Sequence, residues 1–334
     1  MLKYIIKRLL LLVPVLLGVT IMVFTVMHMF TTDPAEIILG QHATVQQMEE
    51  LREELGFNRP LHEQYLDFLG GAVKGDFGKS LITKTPVVEE IGQRLPATLE
   101  LALAGLLFAT VLGVTMGIVS AIKQNSIFDY ISMFISLVGV SMPIFWLGLV
   151  FIVVFSLKLG ILPVAGRIQM GYEPTHITGL YLLDSLLTGD MVAFKSAFKH
   201  IILPSVALGM YSAALIARMT RSTMLEVLGQ DFIRTARAKG LFEKVVIGIH
   251  GLRNALIPIV TVIGLQLGTL LGGAVLTETV FSWPGVGSYT VNSILKSDFT
   301  VVQGAVVYLA VIFVLVNLLV DILYVFLDPR IKYS

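Results

Sequence analysis

Few residues in this chain stand in a pattern that does covalent chemistry. Gly78-Lys79-Ser80 is the nearest to one, since Gly-Lys-Ser closes the loop that cradles nucleotide phosphates. That loop also needs a glycine five positions before its second one, and Val73 stands there. The six histidines, at 28, 42, 62, 176, 200 and 250, are scattered, and no His-Glu-x-x-His pair holds zinc. Gly-x-Ser-x-Gly, the elbow that presents a serine nucleophile, is absent. There is no cysteine, which excludes disulfides, thiolate nucleophiles and cysteine-ligated metals. No catalytic, cofactor-binding or metal-binding residue is expected.

The remaining candidates are polar or irregular positions within apolar stretches, where a polar group is costly and faces a helix bundle or a cavity. Gln266 and Asn317 are read either as interhelical hydrogen-bond partners or as part of a translocation pathway. Met142, Pro143 and Trp146 sit mid-stretch, where proline frees a carbonyl and kinks a helix. Glu278 stands at the outer end of its stretch, as a gate or as a solvated rim. Asp321, near an inner end, is expected to pair with an arginine, and Trp283-Pro284-Gly285 to anchor at the membrane interface or touch a binding protein.

Composition supplies the setting. Of 334 residues, 55% are hydrophobic and only 14% charged; mean hydropathy is +0.84. This is a polytopic membrane protein rather than a soluble core. A span needs about 20 apolar residues, and six stretches qualify or nearly so: 9–30, 98–122, 130–157, 201–217, 257–276 and 301–327. The first is too long for a typical signal-peptide core and no A-x-A site follows it, so it is read as a span. With the N-terminus inside, the internal segments hold 13 basic and 5 acidic residues, and the external ones 11 basic and 17 acidic. The balance, +8 against −6, predicts N-in and C-in.

The external region 31–96 is too long for a bare loop. Thr44 with Gln47 predicts a capping box, closed by Gly56, with further helices from Pro60 to Leu69 and from Thr85-Pro86, proline at the first helical position. Within 158–200, ITGLYLLDSLL predicts an amphipathic helix on the membrane surface. Small residues recur every fourth position at Gly105, Ala109, Gly113, Gly117 and Ala121, and at Gly264, Gly268 and Gly272, which predicts close helix packing or a substrate-lining face.

The longest polar interval on the internal side is Ser222–Pro258, STMLEVLGQDFIRTARAKGLFEKVVIGIHGLRNALIP. Gly229 is expected to end a helix, Asp231 to cap a short one over Phe232–Lys239, and Gly240 to stop it. Arg234, Arg237 and Lys239 carry its charge, and Phe232 and Ala236, four apart, are expected to share a face.

Ala236, three residues, then Gly240, with Leu256-Ile257-Pro258 further on, resembles the EAA loop of permeases of binding-protein-dependent ABC importers. Arg234 stands where that family has Glu, and Thr235 where it has Ala. RTARAKGL with HGLRNALIP, RMTRSTMLEVL, GFNRPLHEQYLDFLGGAVKGDFGKS, LGILPVAGR, GAVLTETVFSWPGVGSY and NLLVDILYVFLDPR are similar to the dipeptide, oligopeptide and nickel branch. The resemblance covers nearly the whole chain. It implies an all-α type I importer permease fold: residues 1–96 as first span plus external segment, and 97–334 as a core of five spans with a cytoplasmic loop at 218–256. It implies that Asp231, Phe232, Arg234, Thr235, Ala236, Arg237, Lys239 and Gly240 form a coupling helix on an ATP-binding subunit. The expected partners are a second homologous permease, two ATP-binding subunits that hold ATP and Mg, an external solute-binding protein and the lipid bilayer, in a plasma membrane. The expected cargo is a di- or oligopeptide, with nickel chelate or glutathione as the alternative. An ion-coupled secondary transporter is the distant rival; it calls for paired intramembrane acids and an inverted repeat, and no repeat is found.

Overall fold

The computed structural model describes residues 2–30, 34–39, 43–54 and 56–327. The helices, in chain order, are α1 (Leu2–Phe30), α2 (Pro34–Leu39), α3 (Val45–Glu54), α4 (Leu61–Val73), α5 (Val87–Ile122), α6 (Ile127–Ser141), α7 (Ile144–Phe151), α8 (Tyr181–Thr188), α9 (Met191–Leu228), α10 (Asp231–Ala238), α11 (Glu243–Val245), α12 (Arg253–Val280), α13 (Val286–Leu295) and α14 (Phe299–Leu327). π-helical turns follow α7 (Ile152–Lys158) and precede α12 (Val246–Leu252). Among the described residues there is no β-strand, only one isolated bridge between Lys79 and Pro86.

Five helical stretches are long and apolar enough to cross a membrane: 10–29, 87–122, 191–228, 243–280 and 299–320. The third expected span is the exception. It is the pair α6 and α7 with its π turn, bent by 110°. The break falls at Met142-Pro143. Proline has no N–H to continue the α6 ladder and drives the residue before it out of the helical region; Met142 has φ −89° and ψ 131°. The Pro143 carbonyl then accepts from Leu147 N at 3.1 Å and starts α7.

The chain divides into two compact units, one of 1–96 with 284–315, the other of 97–283 with the chain from Val316 on. In the first, Val23, Met27, Phe77, Val87, Ile91, Val286, Val301, Val302 and Ala305 form the core. Its local signals behave as expected at α3. Thr44 N donates to Gln47 Oε1 and Gln47 N to Thr44 Oγ1, while Gly56, at φ +75°, closes the far end. The third expected helix begins differently: Val87 is its first residue and Pro86 supplies the carbonyl that caps it.

In the second unit the small-residue seam is a packing device. A methyl group on Gly113 would lie 2.7 Å from the Ala213 carbonyl, and one on Gly117 2.4 Å from Thr220 Cβ. The α5 backbone therefore lies directly on α9, as small residues in membrane helices allow. In the other stripe Gly268 is buried, while Gly272 is exposed and a methyl on it would meet nothing within 4 Å. α8 has an inverted pattern: Asp184 and Ser185 are buried while Leu183, Leu186 and Leu187 are exposed. Asp184 accepts from Ile177 N, Thr178 N, Thr178 Oγ1 and Gly179 N. Burial alone would raise its pKa, but these donors outweigh that and hold the carboxyl below the usual range.

Candidate functional site

The polar interval after α9 builds one short amphipathic helix, and its ends explain its length. α9 stops at Leu228, and Gly229 N still reaches the Leu225 carbonyl. Gln230 turns extended, at ψ 154°, and is the N-cap; the helix begins at Asp231, one residue before the expected start. Asp231 is thus not the cap but the acid of the first turn, where the unpaired N–H groups favour a negative charge. At the other end Gly240 has φ +76°, and its N–H donates to the Arg237 carbonyl while Leu241 N donates to that of Ala236. That pair of bonds is the Schellman stop, and its left-handed residue favours glycine.

The burial of α10 corrects the expected face. Ile233 and Ala236 are buried, against Leu228 and Val246 of the same chain. Phe232 is 44% exposed. At about 100° per residue, the midline between Ile233 and Ala236 lies about 70° from Phe232, which falls at the edge of the buried strip. The small size of Ala236 thus serves an internal fit. Asp231, Phe232, Arg234, Thr235, Arg237 and Lys239 remain exposed. Arg234 reaches Asp231 at 3.4 Å and Arg237 reaches Glu243 at 2.8 Å, exposed pairs that contribute little alone. Phe242, just beyond, is 82% exposed.

About two turns of α9 before its end, three helices are tied together. Arg221 Nε and Nη2 donate to the two oxygens of Asp129, at 2.9 and 2.8 Å. Ser120 Oγ and Asn125 N donate to the same carboxylate. Asp129 is buried, so its only way to remain charged there is this full set of donors.

The intramembrane candidates separate. Gln266 is buried and accepts from Ser212 Oγ at 2.9 Å, the interhelical hydrogen bond of the structural alternative. Glu278 is fully buried and accepts from Thr98 Oγ1 at 2.6 Å, so it is not a solvated rim. Trp283, expected at the interface, is buried too, with Nε1 donating to the Ala97 carbonyl at 2.8 Å. Met142 is half-buried, Pro143 exposed and Trp146 46% exposed at the bend. Asn317 is half-buried in α14, and the Asp321 side chain lies outside the described residues.

Sequence reasoning missed the buried pair Glu100–Arg167. Arg167 Nε and Nη2 both reach Glu100 Oε2, Nη2 also reaches the Gly179 carbonyl, and the guanidinium lies 3.8 Å over the Tyr181 ring. The glutamate stands inside the second apolar stretch and its arginine in a loop 67 residues on, so no local spacing signals the pair. Gly78-Lys79-Ser80 is no phosphate cradle. Ser80 Oγ and Leu81 N donate to Asp298, and Ile82 N and Thr83 N donate to Ser80 Oγ. Among the described residues, no group of three His, Asp or Glu could hold a metal.

Five helices long and apolar enough to cross a membrane, a bent apolar pair, and an amphipathic helix looped between two of the long ones make the described residues an all-α polytopic membrane protein. The chain belongs to the family of inner membrane components of binding-protein-dependent transport systems: that family's pattern matches residues 113–333, and the pattern of its N-terminal part matches 1–102. It is therefore a multi-pass membrane protein and a permease component of a system that includes a binding protein. It is 52% identical over the whole of both chains to a dipeptide transport system permease protein of Alkalihalophilus pseudofirmus, and 48% to a di/tripeptide transport system permease protein of Pseudomonas aeruginosa. It is 41% identical, again over both whole chains, to a glutathione transport system permease protein of Escherichia coli.

Proposed function

We propose that this chain is the transmembrane subunit of an ATP-driven importer of di- and oligopeptides, which an external solute-binding protein delivers. The observation that carries the cargo is full-length similarity, at about half identity, to permeases named for dipeptides and di/tripeptides. In this reading a second homologous permease completes the pore, and two ATP-binding subunits hold ATP and Mg. The N- and C-termini face the cytoplasm; residues 1–96 act as first span plus external segment, and 97–334 as the transporting core.

The coupling helix is α10 with its Gly240 stop. Its exposed side, Asp231, Phe232, Arg234, Thr235, Arg237 and Lys239, is the docking face, and Ala236 is its footing on the chain's own core. ATP binding draws the coupling helices together and turns the cavity outward, a rigid-body switch. The mechanical support for this is the Asp129–Arg221 junction, which ties α6 to α9 at the end where α10 hangs. Met142, Pro143 and Trp146 at the bend, with Gln266, Glu278 and Asn317, are the candidates for the pathway. Irregular backbone at membrane depth is tolerated only where protein buries it or water reaches it, which favours the bend above the rest.

The test is reconstitution of the complete transporter in liposomes with the binding protein outside, scored by ATP-dependent uptake of a labelled dipeptide. Uptake that glutathione saturates and dipeptides do not would replace the peptide with the glutathione reading, which the third relative supports.

A further inference from the structure

At the start of α9 the loop 158–172 folds back onto the helix, and Gln169 N donates to Ser196 Oγ at 3.0 Å. The fold encloses an open cleft of about 420 Å³. Lys195, Lys199 and His200 line it, with Tyr172, and no Asp or Glu does. His200 is oriented rather than loose: Nδ1 lies 2.7 Å from the Ser196 carbonyl, which can only accept, so Nδ1 carries the proton and Nε2 is left to a ligand. Neither lysine makes an ion pair among the described residues.

Two placements identify what such a cleft holds. The long apolar run of α9 begins at Ile201, directly after His200, so the two lysines and the imidazole lie at the depth of the lipid headgroups. Large apolar side chains also stand open beside them: Leu159, Ile161 and Phe198 are each at least half exposed. Cations on one side and unpartnered apolar surface on the other match a molecule with a phosphate head and acyl tails. We propose that this cleft binds the phosphate of an anionic phospholipid, with Lys195 and Lys199 on the phosphate, His200 Nε2 accepting from a headgroup hydroxyl, and the apolar rim on the chains. The membrane boundary fixes the site whichever way the chain is inserted; only the leaflet, the outer one, rests on the orientation proposed above.

The experiment is native mass spectrometry of the intact transporter from mixed micelles, with phosphatidylglycerol as probe and phosphatidylcholine as control. Wild type should retain one phosphatidylglycerol in preference to phosphatidylcholine. At about fivefold for each lysine at a membrane surface, Lys195→Gln with Lys199→Gln should weaken that retention by tenfold or more. Lys123→Gln with Lys244→Gln, away from the cleft, should leave it unchanged. Equal retention by wild type and the Lys195/Lys199 variant would overturn the proposal, as would equal retention of the two lipids by wild type. Displacement of the lipid by inorganic phosphate at matched concentration would overturn the lipid assignment and make the cleft a free-anion site. Lys199→Gln alone, exposed and harmless to folding, repeats the comparison should the double variant assemble poorly.

Discussion

Phe232 and Ala236 differ by four positions and by one decisive fact: the chain covers Ala236 and leaves Phe232 open. Their substitutions should therefore fail in different ways. Ala236→Leu overfills the contact with Leu228 and Val246, and should cost about 1–3 kcal/mol even in the chain without its partners. Phe232→Ala should leave the melting temperature of the solubilised chain within about a degree, since open positions change stability by under about 0.5 kcal/mol, while lowering uptake by the whole transporter. A stability loss at Phe232 with normal uptake would place the docking face elsewhere. Asp184 offers a pH test. Its folded pKa is depressed, so its stabilisation is present above the unfolded value, near 3.8, and is lost as pH falls through the folded one. Asp184→Asn should cost about 1–3 kcal/mol at neutral pH, and the gap from wild type should close as the pH drops below about 4. At this scale the sequence showed α10 to within one residue at each end, and that Gly240 stops it. It could not show which strip of so short a helix is buried, because Val246, ten residues past Ala236, sets that. Nor could it show Glu100–Arg167, whose partners come from separate elements.

Among elements, the α5–α9 seam was legible because a repeat of small residues every fourth position is local, and one helix is enough to display it. Whether a neighbour covers a given position of such a stripe is not local: Gly117 is pressed against α9, while Gly272 stands open. Gly117→Ala would push a methyl to 2.4 Å from Thr220 Cβ and 2.7 Å from the Ala217 carbonyl. The backbones must part, so the assembled protein should lose about 1–3 kcal/mol or more, measured as its melting temperature in detergent. Gly272→Ala meets no atom within 4 Å and gains helix propensity, so it should be neutral or slightly stabilising. Losses of equal size at both positions would mean that another chain covers Gly272. The bend shows the opposite kind of legibility. Pro143 was visible as a kink, but the size of the bend was not: Pro143 drives Met142 into the extended region, and the two helices part by 110°.

Over the whole molecule, six apolar stretches and the segregation of charge gave the class, since each reports the bilayer directly and needs no tertiary contact. The proposed orientation rests on the same charges. Cations near span ends resist transfer across the membrane, and with the N-terminus placed inside the internal segments carry +8 against −6 outside. The long external segments weaken the rule, since long loops cross largely regardless of their charge; the balance therefore rests on Lys3, Lys7, Arg8 and the seven basic residues of 218–256. A chain without native cysteine allows a direct test. Met170, 93% exposed in the loop before α8, and Gln124, exposed in the turn between α5 and α6, lie at opposite ends of the α5 to α9 helices. Met170→Cys should react with a membrane-impermeant maleimide in intact cells, and Gln124→Cys only after the membrane is opened. The reverse pattern would place α10 outside, where no ATP-binding subunit could reach it, and would remove the coupling reading with the orientation. Labelling of both in intact cells would instead mean that the bent pair α6–α7 enters and leaves on one side, leaving five spans and termini on opposite faces.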